Sequence, residues 1–426
     1  MIPTQLKDLF ELVMASYEKL IHASLFRPAR EQVVTIRGSV ISRLQNSLTA
    51  RSCMFLGAKV FEAMIKDSET RAASLVKYRS WIELFEQKLS IGFPNGLIPP
   101  EILSERLSIT LLKLSTTNSI NTYQLLREEA PTFLQIVFSD PTLWPRPHSS
   151  IKVSLSCVLA SPRYEITYFA LLDMMCAMAY GLPQVIDYDT SEPPIESYVH
   201  AVEWVHGCPF ELQRITVRIN SLRAWSNIGP VPDWLSIERE LQEWKAPTST
   251  TTDDESWKAI TRLAIRESWR HALLIYLYMA VCGATSDEPR VSSSVKQVFH
   301  IVETIKNKLP LIAHLHFAIQ YLIAGAYTPN ERQRDIVRRD LSALTSNGFW
   351  LLSGSNFVPV LDHLWHGAGA NGRPVRWNDY VHSRRFALPV VYTHLFAQNQ
   401  VASLEVDRWA ANMEPGGSFS SALESP

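Results

Sequence analysis

The sequence predicts an all-α protein, a large multi-helix bundle or array with little or no sheet. Apolar residues recur three and four apart in one segment after another, the spacing that lays them along one helix face. Helix-start and helix-stop residues punctuate those segments. Apolar/polar alternation between flanking turns, the mark of a strand, is scarce.

Leu6, Leu9, Phe10, Val13, Tyr17, Leu20 and Ile21 form the first apolar face, and Pro28 should end that helix. Helical stretches follow near 32–48, 54–66 and 71–90, then a turn cluster of Gly92, Pro94, Asn95 and Gly96. Pro99-Pro100-Glu101 starts a helix carrying Leu103, Leu107, Leu111 and Leu114. Another spans about 121–138, stopped by Asp140-Pro141 and the Pro145/Pro147 pair. Residues 151–158 are the one place where the chain is expected to extend briefly. Tyr164–Tyr180 is apolar on nearly every side apart from Glu165 and Asp173, as in a helix buried all round. Gly181 and Pro183 form its stop.

Residues 183–208 read as irregular. Pro209 then stands at a first helical position, with Leu212, Ile215, Ile219 and Leu222 as the buried stripe. Pro232 opens a shorter helix with Trp234, Ile237, Leu241 and Trp244 on one side. Residues 246–252, rich in Pro, Thr and Ser, read as an exposed loop. Thr252-x-x-Glu255 resembles a capping box, reinforced by Asp253 and Asp254, for a helix running to Cys282 and stopping at Gly283. Helices are expected near 290–308, 311–326, 330–345 and 357–367, and a disordered tail over 414–426. No fixed-period repeat is visible.

The 426 residues suffice for one large domain or two ordinary ones. Hydrophobic residues make up 46% and charged ones 19%, so apolar packing carries the fold. Lys plus Arg (41) nearly equals Asp plus Glu (42), which leaves no general attraction to nucleic acid or to a membrane. The five cysteines, Cys53, Cys157, Cys176, Cys208 and Cys282, are too widely spaced for a zinc knuckle or a redox pair, and buried reduced thiols are expected. Charges spread through Met1–Leu20 argue against a signal peptide. The longest apolar run, Ala272–Cys282, is too short to span a hydrocarbon core of about 30 Å. No Lys/Arg-rich import run is present.

Few residues suggest chemistry. Gly367-Ala368-Gly369-Ala370-Asn371-Gly372 has the spacing of a dinucleotide-binding loop, but a helix precedes it where a strand is required, so it reads as a flexible helix exit. His363 and His366 share a helix face beside Asp362 without further ligands at an obvious spacing, and His314 and His316 diverge on a helix. Asp253-Asp254-Glu255 suggests the magnesium motif of helical terpene cyclases but lacks its spacing, and a helix cap accounts for the acids. Lys258, Arg262, Arg266 and Arg270 repeat every fourth residue as a basic stripe, read as a solvated face relieved by Glu255 and Glu267 or as a contact face for a phosphate or an acidic partner. Glu331–Asp340, with Arg332, Arg334, Arg338 and Arg339, reads as a solvated helix face. No nucleophile elbow, phosphate loop or metalloprotease motif occurs, so no catalytic residue and no metal ligand is assigned and an enzyme is not expected.

Four ordered segments carry a resemblance. They are YRSWIELFEQKL at 78–89; ASPRYEITYFALLD, YGLPQVIDYDTSEPPIE and EWVHGCPFELQRITVRINSLR within 160–223; ESWRHALLIYLYMAVCGATSDEPRVSSSVKQVFHIV at 267–302; and NFVPVLDHLWHGAGANGRPVRWNDYVHSRR at 356–385. Together they resemble the fungal-specific transcription factor domain, the regulatory middle region of zinc binuclear-cluster regulators, with a family-like core over about 30–390. The resemblance implies one helical regulatory domain over 1–426, in a nuclear RNA polymerase II transcription factor. It implies as partners the transcription machinery or regulatory proteins and a second copy in a homodimer, and no membrane. The family's DNA-reading module needs six closely spaced cysteines around two zinc ions, which five scattered ones cannot supply. No cofactor is therefore expected in this chain, zinc belonging only to that missing module, and DNA contact is expected through a separate module. The chain is expected to be either truncated or a member that has lost the cluster. The competing expectation is a helical scaffold or ligand-binding module with no role in transcription.

Overall fold

A helix apolar on all sides must be surrounded, and the segment at 164–180 is: every residue from Glu165 to Tyr180 is buried. Gly181, left-handed at φ 63°, caps it as the sequence predicts. The structure is a computed structural model. It describes residues 6–26, 28, 30–64, 68–91, 100–116, 121–145, 151–192, 195, 201–225, 233–247, 256–306, 315–344 and 352–390.

Among those residues the helices are α1 (Leu6–Ala23), α2 (Arg30–Asn46), α3 (Leu48–Met64), α4 (Ser68–Ile91), α5 (Pro100–Thr116), α6 (Thr122–Ser139), α7 (Leu155–Leu159), α8 (Tyr164–Tyr180) and α9 (Ala201–His206). They continue as α10 (Phe210–Trp225), α11 (Trp234–Glu243), α12 (Ser256–Ala280), α13 (Pro289–Lys306), α14 (Ala318–Ala326), α15 (Glu331–Ala343), α16 (Gly354–His366) and α17 (Trp377–Ala387). The only sheet described is a two-residue parallel ladder, β1 (Val153–Ser154) with β2 (Tyr188–Asp189), pairing Val153 with Tyr188. The fold is all-α. None of the described helices is long and apolar enough to cross a membrane. The described helices belong to one compact unit ending at Leu388. The capping box at 252–255 and the tail at 414–426 lie outside the described residues, as does most of the loop at 246–252.

Most helices pack on a near neighbour in sequence, and the contacts run through the array from one end to the other. Leu9 and Val13 of α1 meet Val40 and Leu44 of α2 and Phe55 and Ala58 of α3 in one cluster. Cys53, Leu56 and Val60 of α3 join Ile82 of α4 and Ile109 of α5 in the next. α5 and α6 then lead to α8, α8 to α10, and α10 to α12. The far end of α8 is fastened by polar side chains inside the core. Asn220 donates from Nδ2 to the Met174 carbonyl (3.1 Å) and accepts at Oδ1 from the Tyr276 hydroxyl (2.6 Å). Arg223 donates to the carbonyls of Ala177 and Leu182, and Tyr380 of α17 to that of Ala179. These bonds give buried donors partners that water cannot supply.

Three expectations need revision. Residues 183–208 are not wholly irregular, since they contain β2 and α9. The chain after Pro183 is held against α8 by Asp173, whose buried carboxylate accepts the Val185 and Ile186 amides at 2.8 and 3.1 Å. The helix expected to reach Cys282 ends at Ala280, with Gly283 at φ 68° turning the chain. The segment Glu331–Asp340 is not a simple solvated face: Arg334 is buried and donates to the Thr328 carbonyl, and Arg334 and Arg338 lie over the Trp365 ring at 5.5 and 4.9 Å.

Candidate functional site

Side chains four apart on a helix advance about 40° around its axis per step, so a four-membered stripe sweeps about 120° and cannot stay on one narrow face. The basic stripe of α12 follows that geometry. Arg262, in the second position, is only 4% exposed and donates to the Leu25 carbonyl at 3.1 Å, so the reading of a solvated face fails there. Arg266 donates to the Pro247 carbonyl (2.7 Å), lies 3.7 Å from Glu203 of α9 and covers the Phe26 ring. Arg270 pairs with Glu267. Burial would raise the Glu267 carboxyl, but hydrogen bonds from His271 and Arg270 hold it down to about 2. Lys258 lies beside the Trp257 ring. The stripe thus forms, at its centre, a seam between α12, the exit of α1 and α9.

α9 is the pivot of this region. On one side Glu203 faces Arg266, and burial pushes its carboxyl up to about 7 despite the guanidinium. Deeper in, His206 lies 3.4 Å from the Tyr164 hydroxyl and stacks on Tyr168. Burial, with His316 beside it, holds the His206 imidazole down to about 3, so the ring is neutral at physiological pH. Gly207 follows at φ 69°, where a Cβ would come within 2.6 Å of the Phe26 ring, so glycine is required both by backbone and by space.

The outer face of α9 borders a cleft. Tyr17 of α1, Val40 and Arg43 of α2, Met54 and Phe61 of α3, Tyr164 of α8, and Trp204 and Val205 of α9 line it. Its cavity volume is about 60 Å³, well below the range of small-molecule sites. At its base Arg43 lies 3.3 Å from Glu165 and 3.4 Å from Glu105. Burial raises the Glu105 carboxyl against the pull of Arg43, while Arg43 is held firmly charged, chiefly by Glu165. Ser104 also donates to Glu165. Nothing in the sequence pattern announced this cleft, because its walls come from five helices in two stretches of the chain about a hundred residues apart.

The other candidates scatter. His363 hydrogen-bonds Ser383 (3.0 Å) and His366 the Asp362 carbonyl (2.8 Å). Among the described residues no group of three or more His, Cys, Asp or Glu side chains gathers as a metal site would. The glycine motif follows α16, and Asn371 and Gly372 take left-handed conformations at φ 58° and 73°. That is a helix exit, and Arg373 ties it down by donating to the Gly367 carbonyl at 2.9 Å. His314 and Asp253-Asp254-Glu255 lie outside the described residues.

Residues 148–389, more than half the chain, match the model of the fungal specific transcription factor domain. The chain belongs to that family. The family consists of transcription factor domains rather than enzymes, and membership gives the chain a role in transcriptional regulation. Three of the four resembling segments fall within the match, and the segment at 78–89 lies before it. No curated protein and no solved structure matches the chain. The cleft therefore has one wall, α8 and α9, inside the family domain and the other, α1 to α3, ahead of the matched residues.

Proposed function

We propose that this chain is the regulatory part of a fungal RNA polymerase II transcription factor, that it acts in the nucleus, and that reading DNA falls to a separate zinc-cluster module. The family match over residues 148–389 carries the reading. The charge distribution supports it: the formal net charge is −1, and the most regular basic stripe turns Arg262 into the protein instead of toward a phosphate backbone. This chain holds no zinc of its own in that reading. Its partners are the transcription machinery, regulatory proteins or a second copy. Arg262 and Arg266 are engaged at the seam, so a contact role for the stripe does not rest on them.

The experiment is a fusion of residues 1–426 to an unrelated DNA-binding module, assayed on a reporter in a fungal cell. Transcription should rise or fall relative to the module alone. A fusion that is expressed, nuclear and bound to its site, yet leaves the reporter unchanged, would overturn the reading in favour of a helical scaffold.

A further inference from the structure

A groove runs between α3 and α4, ahead of the matched residues 148–389. Phe55 and Leu56 of α3 and Trp81, Leu84, Phe85 and Lys88 of α4 are among its walls. Its cavity volume is about 210 Å³, below the range of small-molecule sites, and it lies open along the surface. Such a groove suits the side chains of a docking element better than a whole enclosed ligand. Its floor is fixed, because Trp81 stacks on Phe55 at 6.3 Å and meets Tyr78 edge-on at 5.5 Å. Leu84 stands 56% exposed beside it, and Leu48, one turn before Ser52 of the α3 wall, 75% exposed. Exposed leucines around a rigid tryptophan are the composition of an interface centre.

The charges around the groove have one sign. On α4, Lys77, Trp81, Leu84 and Lys88 fall within about 60° of one another around the axis, with the two lysines about 16 Å apart along it. They bracket the apolar pair. Lys77 sits over the Trp81 ring at 5.1 Å, and Lys88 is exposed and makes no ion pair among the described residues. The acids of these helices do not offset them. Glu86 pairs with Lys113 and Glu62 with Lys59, each at 2.8 Å, and Glu83 lies about 100° or more further round the helix. We infer that the groove docks an acidic amphipathic helix of a partner protein. Its apolar face covers Trp81, Leu84 and Phe85, and carboxylates at its two ends meet Lys77 and Lys88. A second copy of this chain fits poorly, because a two-fold contact sets the same patch against itself and brings lysines toward lysines. The inference goes beyond the chain's role in transcription and does not depend on it, since binding is measured on the protein alone.

The test uses the full chain and a fluorescein-labelled helical peptide of about four turns. Its leucines are spaced three and four apart on one face, with glutamates at both ends of that face, and a twin peptide carries lysines in their place. Anisotropy should show saturable binding, with the acidic peptide at least about tenfold tighter than its twin at low salt and the difference shrinking as salt rises. Leu84→Glu should weaken the acidic peptide at least about tenfold and leave the unfolding midpoint unchanged, because the residue is exposed. Lys77→Glu combined with Lys88→Glu should reverse the preference between the two peptides. Ile151→Glu, at an exposed apolar residue outside α3 and α4, should change nothing. Non-saturable binding, equal affinity for the two peptides, or indifference to Leu84→Glu overturns the inference. A chain that sediments as a dimer, and as a monomer once Leu84→Glu is introduced, would place a second copy in the groove and overturn it as well.

Discussion

Asp173 shows how one buried side chain can set a pH dependence. It sits on α8 with no solvent exposure, and its two oxygens take the amides of Val185 and Ile186. Burial pushes the carboxyl up to about 7, against those amides and the Tyr188 hydroxyl, which favour the ionised form. An unfolded aspartate titrates near about 3.9, so the native state holds the proton more tightly. The stability this proton contributes is full below the unfolded value and is lost as pH rises through about 7. Asp173→Asn abolishes that titration and leaves one amide short of an acceptor, at a cost of about 1–3 kcal/mol. In urea titrations the wild type's advantage over Asp173→Asn should be larger at pH 5 than at pH 8, and a gap that widens with pH would refute the assignment. His206 and His316 act in the opposite direction. Burial among Tyr164, Tyr168 and each other holds them down to about 3 and about 4, so their contribution is full above the unfolded value of about 6.5 and fades as pH falls toward those values. His316→Gln should flatten the acid side of the stability profile.

At the scale of the element, α12 combines a readable half with an unreadable one. Its second half reads as core from the unbroken apolar run alone, and Ala272–Met279 is buried throughout. Leu274 is 5% exposed and Ile275 not at all, so replacing either by Ala should destabilise by about 2–5 kcal/mol, read as a lowered denaturant midpoint. The first half reads as a solvated basic face, and there the sequence misleads. A spacing rule places Arg262 on a line with its neighbours but says nothing of Leu25, whose carbonyl draws the guanidinium inward from the far end of the chain. Arg262→Glu should therefore cost about 3–5 kcal/mol, whereas Lys258→Glu, at a half-buried site beside Trp257, should cost less, about 1 kcal/mol. Similar midpoints for the two would show that Arg262 is solvated after all. Arg334 eluded the same rule because its partners, Thr328 and Trp365, come from other elements. α9 escaped for a different reason: six residues near several prolines give too short a period to read. α8 was legible because nothing but full burial tolerates seventeen such residues in a row.

At the scale of the whole molecule, what was legible was whatever the chain repeats locally, the helices and their buried faces. The cleft depends on which helices meet, and no local pattern carries that. The cysteines belong to the legible part and lead to the clearest test of how this protein relates to DNA. Cys53 lies in α3, Cys157 in α7, Cys176 in α8, Cys208 after α9 and Cys282 after α12, each a free thiol, the first four buried and Cys282 half-buried. A zinc ligand must be a thiolate. Burial pushes the Cys53 thiol up to about 12 and Cys282 to about 11, and raises Cys176 and Cys208 well above the usual thiol range. Thiols spread over separate parts of the fold, four of them resisting ionisation, cannot assemble a two-zinc cluster without unfolding the core around them. The purified chain should therefore carry no stoichiometric zinc by elemental analysis. With a net charge of −1 it should bind duplex DNA weakly, without sequence preference, and lose that binding as salt is raised. Stoichiometric zinc, or tight binding to one sequence that survives physiological salt, would mean that this chain reads DNA itself.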